Sequence, residues 1–444
     1  MLAVLTDRTY RRLFTAQAVA LVGTGLATVA LGLLAYDLAG PDAGAVLGTA
    51  LAIKMVAYVG VAPIAGALTA RIPRKALLVT LDLVRAAIAS ALPWVDAIWQ
   101  VYLLIFLLQA ASAAFTPAFQ ATIPEILTDE RDYTRALSLS RLAYDLESLL
   151  SPLLAAAVLV VVGYDDLFLG TTVGFVGSAL LVLSVALPAT REPRTDDRTF
   201  AATTKGIRIY LATPRLRGLL AVHLAVAAAG SMVLVNTVAY VRDLLGRGDT
   251  AVAVALAANG LGSLVAAFAL PVILDRFTDR AVMLRACAGL ATVLLLAIPT
   301  TALLGDSRWA ALLALWALIG VGSSLVLTPG GRLLRRSAHP ADLPAVFAAD
   351  FSLSHACWLL CYPLAGWLAT TAGMPATLAV LAAITVTATV LAVRFWPARD
   401  PEVIEHEHDL DHDHHHLADA DLVDGRWRHV HHYRIDDLHH RWPA

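Results

Sequence analysis

The chain has 444 residues, of which 58% are hydrophobic and 15% charged, with a formal net charge of −2. An average soluble domain is about 45–50% apolar and about 25% charged. The composition therefore excludes an ordinary soluble protein and predicts a membrane protein whose surroundings are lipid, not nucleic acid. No G-x-x-x-x-G-K-[ST] phosphate loop occurs in the chain, so we do not expect the chain to hydrolyse ATP through such a loop.

Apolar stretches of roughly 20 residues, the length needed to cross a ~30 Å hydrocarbon core, recur from the N-terminus to about residue 396. The first is too long for a signal-peptide core and lacks a small-residue cleavage site, so we expect it to be retained. All of them together predict an all-α protein with twelve transmembrane helices. They lie near residues 13–37, 44–70, 76–94, 98–119, 138–162, 167–188, 217–241, 250–274, 281–303, 309–329, 345–370 and 375–396.

The spans divide into two similar groups of six. "GALTARIPRKALL" at 66–78 corresponds to "PVILDRFTDRAVML" at 271–284, and the fifth and eleventh spans can be superimposed on Pro152 and Pro363. Internal repeats of this kind are typical of secondary transporters, in which substrate binds between the repeats near the midplane. We predict four parts: a half at 1–188, a cytoplasmic linker at 189–216, a half at 217–396 and a flexible cytoplasmic tail at 397–444.

The loop after the second span has the form G-x-L-x-x-R-x-x-R-K, and the fifth span contains a helix-breaking Pro-Leu-Leu-Ala element. With the twelve spans, these features resemble the major facilitator superfamily over about residues 8–396. The resemblance implies gating loops at Arg71, Arg74 and Lys75, and at the Asp275–Arg276 pair of the second half. The first loop departs from the family pattern, because Ala70 stands where the usual Asp would be and Pro73 where the second Gly would be.

A narrower resemblance rests on "LAYDLESLLSP" at 142–152, "ADLPAVFAADFSLSHACWLLCYPLAGWL" at 341–368 and the His-rich terminus. These segments are similar to those of the nickel-resistance permeases of the same superfamily. The resemblance implies a monomeric transporter with a divalent metal ion as substrate and no resident cofactor.

Basic residues are distributed unevenly between the loops. With a cytoplasmic N-terminus, the cytoplasmic connections hold 22 Lys and Arg residues and the outer loops hold three, namely Arg242, Arg247 and Arg308. The positive-inside rule then places both termini in the cytoplasm of a cell membrane.

Ionisable residues within predicted spans are costly and usually face a partner or a wet cavity, so they are the candidates for the substrate path and its coupling. Some of these charges also have simpler explanations. Asp82 and Arg85 are spaced three apart on one helix, which favours a structural ion pair. Arg141 and Asp145 could pair in the same way. The candidates are Lys54, Asp145, Glu147, His223, Asp350 and His355.

Asp350 and His355 are five residues apart, about 140° around a helix, so we expect each to need a partner on another helix. A buried histidine is commonly a satisfied hydrogen-bonding residue, and that alternative stays open. The mixed carboxylate and imidazole set suits a borderline divalent cation, and Lys54 could be a counter-ion when no metal is bound. Cys357 and Cys361 are interpreted as packing residues.

The tail contains 11 of the 14 histidines, with 11 Asp or Glu against four Arg from Glu402 onward. Neutral imidazole is a ligating form, and His-x-His steps allow one ion to be held by several nitrogens. Metal binding is therefore predicted, with pH sensing as the alternative, and a hairpin is predicted at 424–435 around its Asp-Gly turn. The expected metal-binding residues are His406, His408, His412, His414, His415, His416, His429, His431, His432, His439 and His440.

A cytoplasmic metal-binding tail lies on the loading side of an exporter. The sequence thus predicts an exporter of divalent transition-metal ions, Ni²⁺ first and Co²⁺ second, that exchanges them for protons and confers metal resistance. Two alternatives remain open. One is a drug or siderophore exporter of the same superfamily with a metal-regulated tail, and the other is a membrane-anchored metal sensor or buffer that transports nothing.

Overall fold

The computed structural model describes most of the chain. The described residues are 2–69, 72–127, 129, 132, 136, 139–140, 143, 147, 150–151, 154–187, 198–302, 305–339, 342–400, 403–408, 421–423, 426–435, 439 and 442. All structural statements below concern these residues.

Fourteen helices are described, numbered α1 to α14 in chain order. The described residues from 132 to 158 are helical and are called α5, and a turn follows at Leu159. The other bounds are α1 Arg8–Ala39, α2 Ala43–Thr69, α3 Arg74–Ala91, α4 Ile98–Ile126, α6 Asp165–Leu183, α7 Arg198–Ala212, α8 Pro214–Ala239, α9 Asp249–Leu274, α10 Asp279–Thr300, α11 Gly305–Leu327, α12 Gly330–Ser337, α13 Leu343–Thr371 and α14 Met374–Phe395.

Ten uninterrupted stretches of the described residues are long and apolar enough to cross a membrane, and the first of them, Arg8–Gly60, contains both α1 and α2. The multi-pass helical fold predicted from the sequence is confirmed. Large apolar side chains such as Phe268 and Val173 are 78% and 71% exposed. In a bilayer such side chains face lipid, because lipid tails are as apolar as they are.

The linker between the halves is partly helical. Its helix α7 packs on α13, and Lys205 Nζ lies 2.8 Å from Asp342 Oδ1 at the start of that helix. Next comes α8, which packs against α13, α14 and α10 and is the most enclosed helix, with 20 of its 26 residues buried. The chain thus enters its second half through the centre of the bundle.

Successive spans alternate in direction, so the loops fall on two faces of the bundle. The terminal face carries the start of α1, helices α7 and α12, the start of α8 and the tail. The opposite face carries the turns at Gly40, Gly246 and Gly373, which are the described glycines with positive φ.

The two halves approach each other most closely near the opposite face, where α2 meets α13. A Cβ on Gly48 would lie 2.5 Å from the Tyr362 carbonyl oxygen, and one on Gly366 would meet the Gly44 carbonyl oxygen. Helices packed this closely need small residues at the contact. Trp367 Nε1 also donates to Thr49 Oγ1 at 3.3 Å across the same pair.

Polar contacts also join the halves at the opposite face. The Tyr36 hydroxyl donates to Asp243 Oδ1, and Arg242 Nη2 lies 3.4 Å from Asp37 Oδ1 and 3.0 Å from Asp249 Oδ1. These residues come from the far ends of α1, α8 and α9. The described structure therefore has the halves closed against each other at the opposite face.

The sequence analysis expected a flexible tail. Part of the tail instead forms β-structure in an otherwise helical chain. Strands β1 Val403–His408, β2 Asp421–Val423 and β3 Arg426–His432 form an antiparallel sheet in the order β1-β3-β2. The predicted hairpin is present as β2 and β3, paired from Val423 and Arg426 on either side of residues 424–425. Pairing of β1 with β3 was not predicted, because these strands are separated by a long polar segment.

Candidate functional site

Lys54 and Glu147 are half-buried, oppositely charged residues of the first half. Lys54 lies on α2 and Glu147 on α5, and their opposite charges attract each other. A Cβ on Gly25 of α1 would lie 2.9 Å from Glu147 Oε1 and would collide with the Ser151 side chain. Gly25 therefore provides the space in which the Glu147 carboxylate lies.

A small cavity within the first half is lined by residues of α1, α2, α4 and α6, six of them apolar and five polar, with Lys54 among the polar ones. The polar lining consists of Thr24, Thr28, Lys54, Gln109 and Ser112. Such a lining can donate and accept hydrogen bonds in a region that is otherwise apolar.

The second half holds a carboxylate, an imidazole and a phenol in contact. His223 Nδ1 of α8 lies 3.7 Å from Asp350 Oδ1 of α13, with side-chain exposures of 8% and 19%. The Tyr210 hydroxyl of α7 donates to Asp350 Oδ1 at 2.9 Å. Asp350 is thus held from two helices and keeps a partly open side.

His355 lies one and a half turns further along α13. Its Nδ1 is 2.6 Å from the Phe351 carbonyl oxygen, and its ring is 3.9 Å from the Phe351 ring. The sequence analysis expected no partner on its own helix, and that expectation was wrong, because the ring reaches back one turn to a backbone carbonyl.

Tyr58 of α2 connects the two sets of groups. Its ring centroid is 6.0 Å from the His355 ring and 6.0 Å from Lys54 Nζ. The groups form a row that crosses from one half to the other, which we call the central polar row. It consists of Glu147, Lys54, Tyr58, His355, Asp350, His223 and Tyr210.

The sequence analysis named five of these seven residues as candidates and missed the two tyrosines. Tyr58 is four residues after Lys54, so the helical repeat could have placed it on the same face. Tyr210 lies in the linker, outside the predicted spans, and only the packing of α7 on α13 brings it to Asp350. The remaining candidate, Asp145, lies outside the described residues.

Asp82 and Arg85 form the expected ion pair on α3. Ser178 Oγ of α6 donates to Asp82 Oδ2 at 2.7 Å, and the Arg85 guanidinium lies 4.1 Å from the Phe115 ring and 4.5 Å from the Phe175 ring. Asp82 is fully buried and Arg85 is 5% exposed. The two charges are paired with each other and contacted from α4 and α6, so the predicted ion pair is confirmed.

The predicted gating residues lie on the terminal face. Arg74 and Lys75 begin α3, and Asp275 and Arg276 are exposed in the turn between α9 and α10. Arg71 lies outside the described residues. The gating role of these residues stays a prediction.

The tail histidines fall into three groups. Those within β1 and β3 are His406, His408, His429, His431 and His432. His439 is 5% exposed, with its ring 4.8 Å from that of Tyr433. His412, His414, His415, His416 and His440 lie outside the described residues. Among the described side chains, no group of three or more His, Cys, Asp or Glu is close enough to hold a metal ion.

Comparison with known proteins agrees with this architecture. The family profile described as Major Facilitator Superfamily matches residues 13–303 and 220–434. No curated protein matches the chain.

Solved transporter structures are similar over nearly their whole length. A bacterial homolog of the human lysosomal transporter Spinster, inward-facing and unoccupied, has a TM-score of 0.68 at 12% identity, covering 88% of this chain and 97% of that one. The D-xylose–proton symporter gives 0.67 at 13%, covering 87% and 98%. The nucleoside transporter NupG gives 0.63 at 13%, covering 87% and 98%.

At such identities the structural likeness shows the fold, whereas the family profile matches both halves of the chain. Members of this family and the structural neighbours are transporters and not enzymes. The chain belongs to the major facilitator superfamily.

Proposed function

We propose that the protein is a secondary active exporter of divalent transition-metal ions, with Ni²⁺ as the leading substrate and Co²⁺ as the second, driven by proton antiport. The observation that carries this proposal is the Asp350–His223 pair, whose Oδ1 and Nδ1 atoms are 3.7 Å apart on two helices beside the His355 imidazole. Carboxylate and imidazole ligands together suit a borderline divalent cation.

Exchange with protons follows from the chemistry of these ligands. A carboxylate and an imidazole bind metal only in their deprotonated forms, so metal and protons compete for the same atoms. Metal taken up from one side displaces protons, and protons arriving from the other side displace metal. The paired Lys54 and Glu147 charges keep the first half neutral while the second half changes charge.

The direction of transport rests on the orientation of the terminal face. Its loops hold 22 Lys and Arg residues against three on the opposite face, which places the terminal face and the His-rich tail in the cytoplasm. With the halves closed at the opposite face, the described state then admits substrate from the cytoplasm.

A matched pair of cysteine variants tests this orientation. Asp306→Cys on the opposite face, where the native side chain is 97% exposed, should react with an impermeant thiol reagent in intact cells. Asp275→Cys, exposed on the terminal face, should react only after the cells are opened. The reverse pattern would contradict export.

A second function is favoured by one observation. The lining of the cavity at Lys54 includes hydroxyl and amide groups of the kind that hydrogen-bond polar organic solutes, and an ammonium group repels a metal cation. In the described state the cavity has room for about one water molecule, so a drug or siderophore would enter only after the halves move apart. With such a substrate the protein would be an exporter of drugs or siderophores with a tail that responds to metal. A sensor or buffer that transports nothing gives no account of the central polar row.

Reconstituted vesicles decide between these functions. With the vesicle lumen made acidic, the purified protein should move Ni²⁺ into the lumen against its concentration gradient, and the lumen should become more alkaline as protons leave in exchange. Ni²⁺ flux that is indifferent to the pH gradient would remove proton antiport. Absence of Ni²⁺, Co²⁺, Zn²⁺ and Cu²⁺ flux by folded protein would remove the metal function.

A further inference from the structure

Helices α10 and α14 lie on the outside of the second half. α10 packs mainly on α8, α11 and α14, and α14 packs mainly on α8, α10 and α13, all of which belong to that half. Each of the two helices has an exposed face at helical spacing, with Thr292 and Leu295 on α10 and Val386 and Val390 on α14. In a bilayer these two faces are in contact with lipid.

Three exposed arginines lie where α10, α14 and the neighbouring α8 meet the terminal face. Arg217 is three residues into α8, Arg285 is six residues into α10, and Arg394 is one residue before the end of α14. These helix ends are adjacent, because α8 and α10 both pack on α14 and Arg280 Nε of α10 donates to the Trp396 carbonyl oxygen at 2.9 Å, directly after α14.

Several other arginines of the terminal face have carboxylate partners. Arg215 and Arg336 pair with Asp400, and Arg332 Nη1 lies 3.8 Å from Asp279 Oδ1 at the start of α10. The three exposed arginines at the ends of α8, α10 and α14 form no ion pair with any described residue. Their positive charges are therefore available to an anion from outside the chain.

Two of the three guanidinium groups lie over aromatic rings near the terminal face. Arg217 Cζ is 5.4 Å from the centroid of the Phe395 ring, and Arg285 Cζ is 5.2 Å from that of Phe277, in the turn before α10. Side chains on a helix tilt toward its N-terminus, and α10 begins at the terminal face. The Arg285 side chain thus extends from within the helix toward the headgroup region, as arginines near the ends of membrane helices do.

We propose that Arg217, Arg285 and Arg394 bind the phosphate headgroup of an anionic phospholipid in the leaflet next to the terminal face. Guanidinium groups bind phosphate oxygens through charge-assisted hydrogen bonds, and basic pockets between transmembrane helices are suited to anionic headgroups. The acyl chains of this lipid lie along the exposed apolar faces of α10 and α14. The site is separate from the central polar row, and the proposal holds whichever solute the protein carries.

The positive-inside rule alone gives no reason for this arrangement. Arginines in any cytoplasmic loop satisfy that rule, whereas Arg285 lies within the apolar stretch Asp279–Thr300. It is about 9 Å along the helix from the first residue of α10. A charge at that depth is costly unless it reaches a partner, and a lipid phosphate is the partner that the membrane itself supplies.

Binding of dioleoylphosphatidylglycerol to the purified full-length protein in a non-ionic detergent, counted by native mass spectrometry and read by thermal unfolding, tests the site. The wild-type protein should bind this lipid and unfold at a higher temperature with it than with dioleoylphosphatidylcholine. Arg285→Gln/Arg394→Gln removes two of the three charges and should weaken binding at least roughly tenfold. Arg335→Gln/Arg399→Gln removes the same charge from exposed positions outside α8, α10 and α14, and this control should keep the binding.

Three outcomes would overturn the proposal. An equal loss in the Arg335→Gln/Arg399→Gln protein would show that binding follows the total charge of the terminal face. Equal binding of phosphatidylcholine would show apolar contact alone, and equal stabilisation by inorganic phosphate would show a site for free anions. Without added lipid, the variants should unfold at the wild-type temperature. The single variant Arg217→Gln, with a smaller loss expected, repeats the test if the double variant does not fold.

Discussion

Two buried charge clusters, Asp82–Arg85 in the first half and Asp350–His223 in the second, use similar groups in different ways. The Asp82 carboxylate is fully buried, paired with Arg85 and hydrogen-bonded to Ser178, and the guanidinium is enclosed by two aromatic rings. The Asp350 carboxylate is 19% exposed and lies 3.7 Å from an imidazole.

The difference separates a structural pair from a candidate binding site. A buried ion pair stabilises one arrangement of the helices that carry it. Removing one of its two charges leaves the other buried without compensation. The partners of the Asp350 carboxylate are a phenol and an imidazole. Because this carboxylate is also open on one side, it can accept a cation or a proton. We therefore expect substitutions in the first cluster to change stability and substitutions in the second to change transport.

The largest expected effect is that of Asp350→Asn. Removal of the carboxylate charge should lower metal export per folded molecule at least ~10-fold, since even partners of metal ligands cost 10–100-fold. Transport in vesicles, normalised to folded protein, measures it. Asp342→Asn, the same change on the same helix at the Lys205 pair, should retain export. Near wild-type export by the Asp350→Asn protein would show that the Asp350–His223 cluster is not a transport site.

Asp82→Asn should act on stability instead. With Arg85 left buried and without its carboxylate partner, the free energy of unfolding should fall by about 3–5 kcal/mol. Thermal unfolding in detergent and membrane abundance measure it, and the double variant Asp82→Asn/Arg85→Gln should recover part of the loss. If the surviving single-variant molecules transport poorly, the cluster has a role beyond structure.

Gly48→Leu tests whether α13, which carries Asp350, moves relative to α2. A side chain at Gly48 would collide with the Tyr362 backbone, and overpacking of about 1–3 kcal/mol shifts a two-state population roughly 5- to 150-fold. A cysteine at Ala45 should then react faster with an impermeant thiol reagent. Gly60→Leu on the same helix, where a Cβ meets nothing within 4 Å, should not change the rate. Equal rates would argue that the halves do not separate there.

The smallest effect is expected for Phe115→Leu. Loss of the ring 4.1 Å from the Arg85 guanidinium should lower the free energy of unfolding by about 0.5–2 kcal/mol, the range for cation–π contacts. Phe106→Leu, a 38% exposed position on the same helix, is the matched control for thermal unfolding. An equal change in both proteins would show that the Phe115 ring adds no cation–π stabilisation of Arg85.

Much of the candidate site could be predicted from residue type and depth. Lys54, Glu147, His223, Asp350 and His355 are ionisable residues in apolar stretches, and their cost in a membrane marks them wherever they occur. Their grouping could not be predicted, because Tyr210 reaches Asp350 across 140 positions of the chain. The same limit applies to the tail, where His-x-His steps are visible in the sequence but the pairing of β1 with β3 is not.

The sequence by itself determined the spans, their division into two halves and the concentration of histidine in the tail. These are properties of local composition, since an apolar stretch of sufficient length must form a helix to satisfy its backbone in lipid. The tertiary structure alone decided which charges are enclosed and which keep an open side. Packing between helices distant in the chain encloses Arg85 between Phe115 and Phe175, and it leaves Asp350 beside His223 with a side exposed.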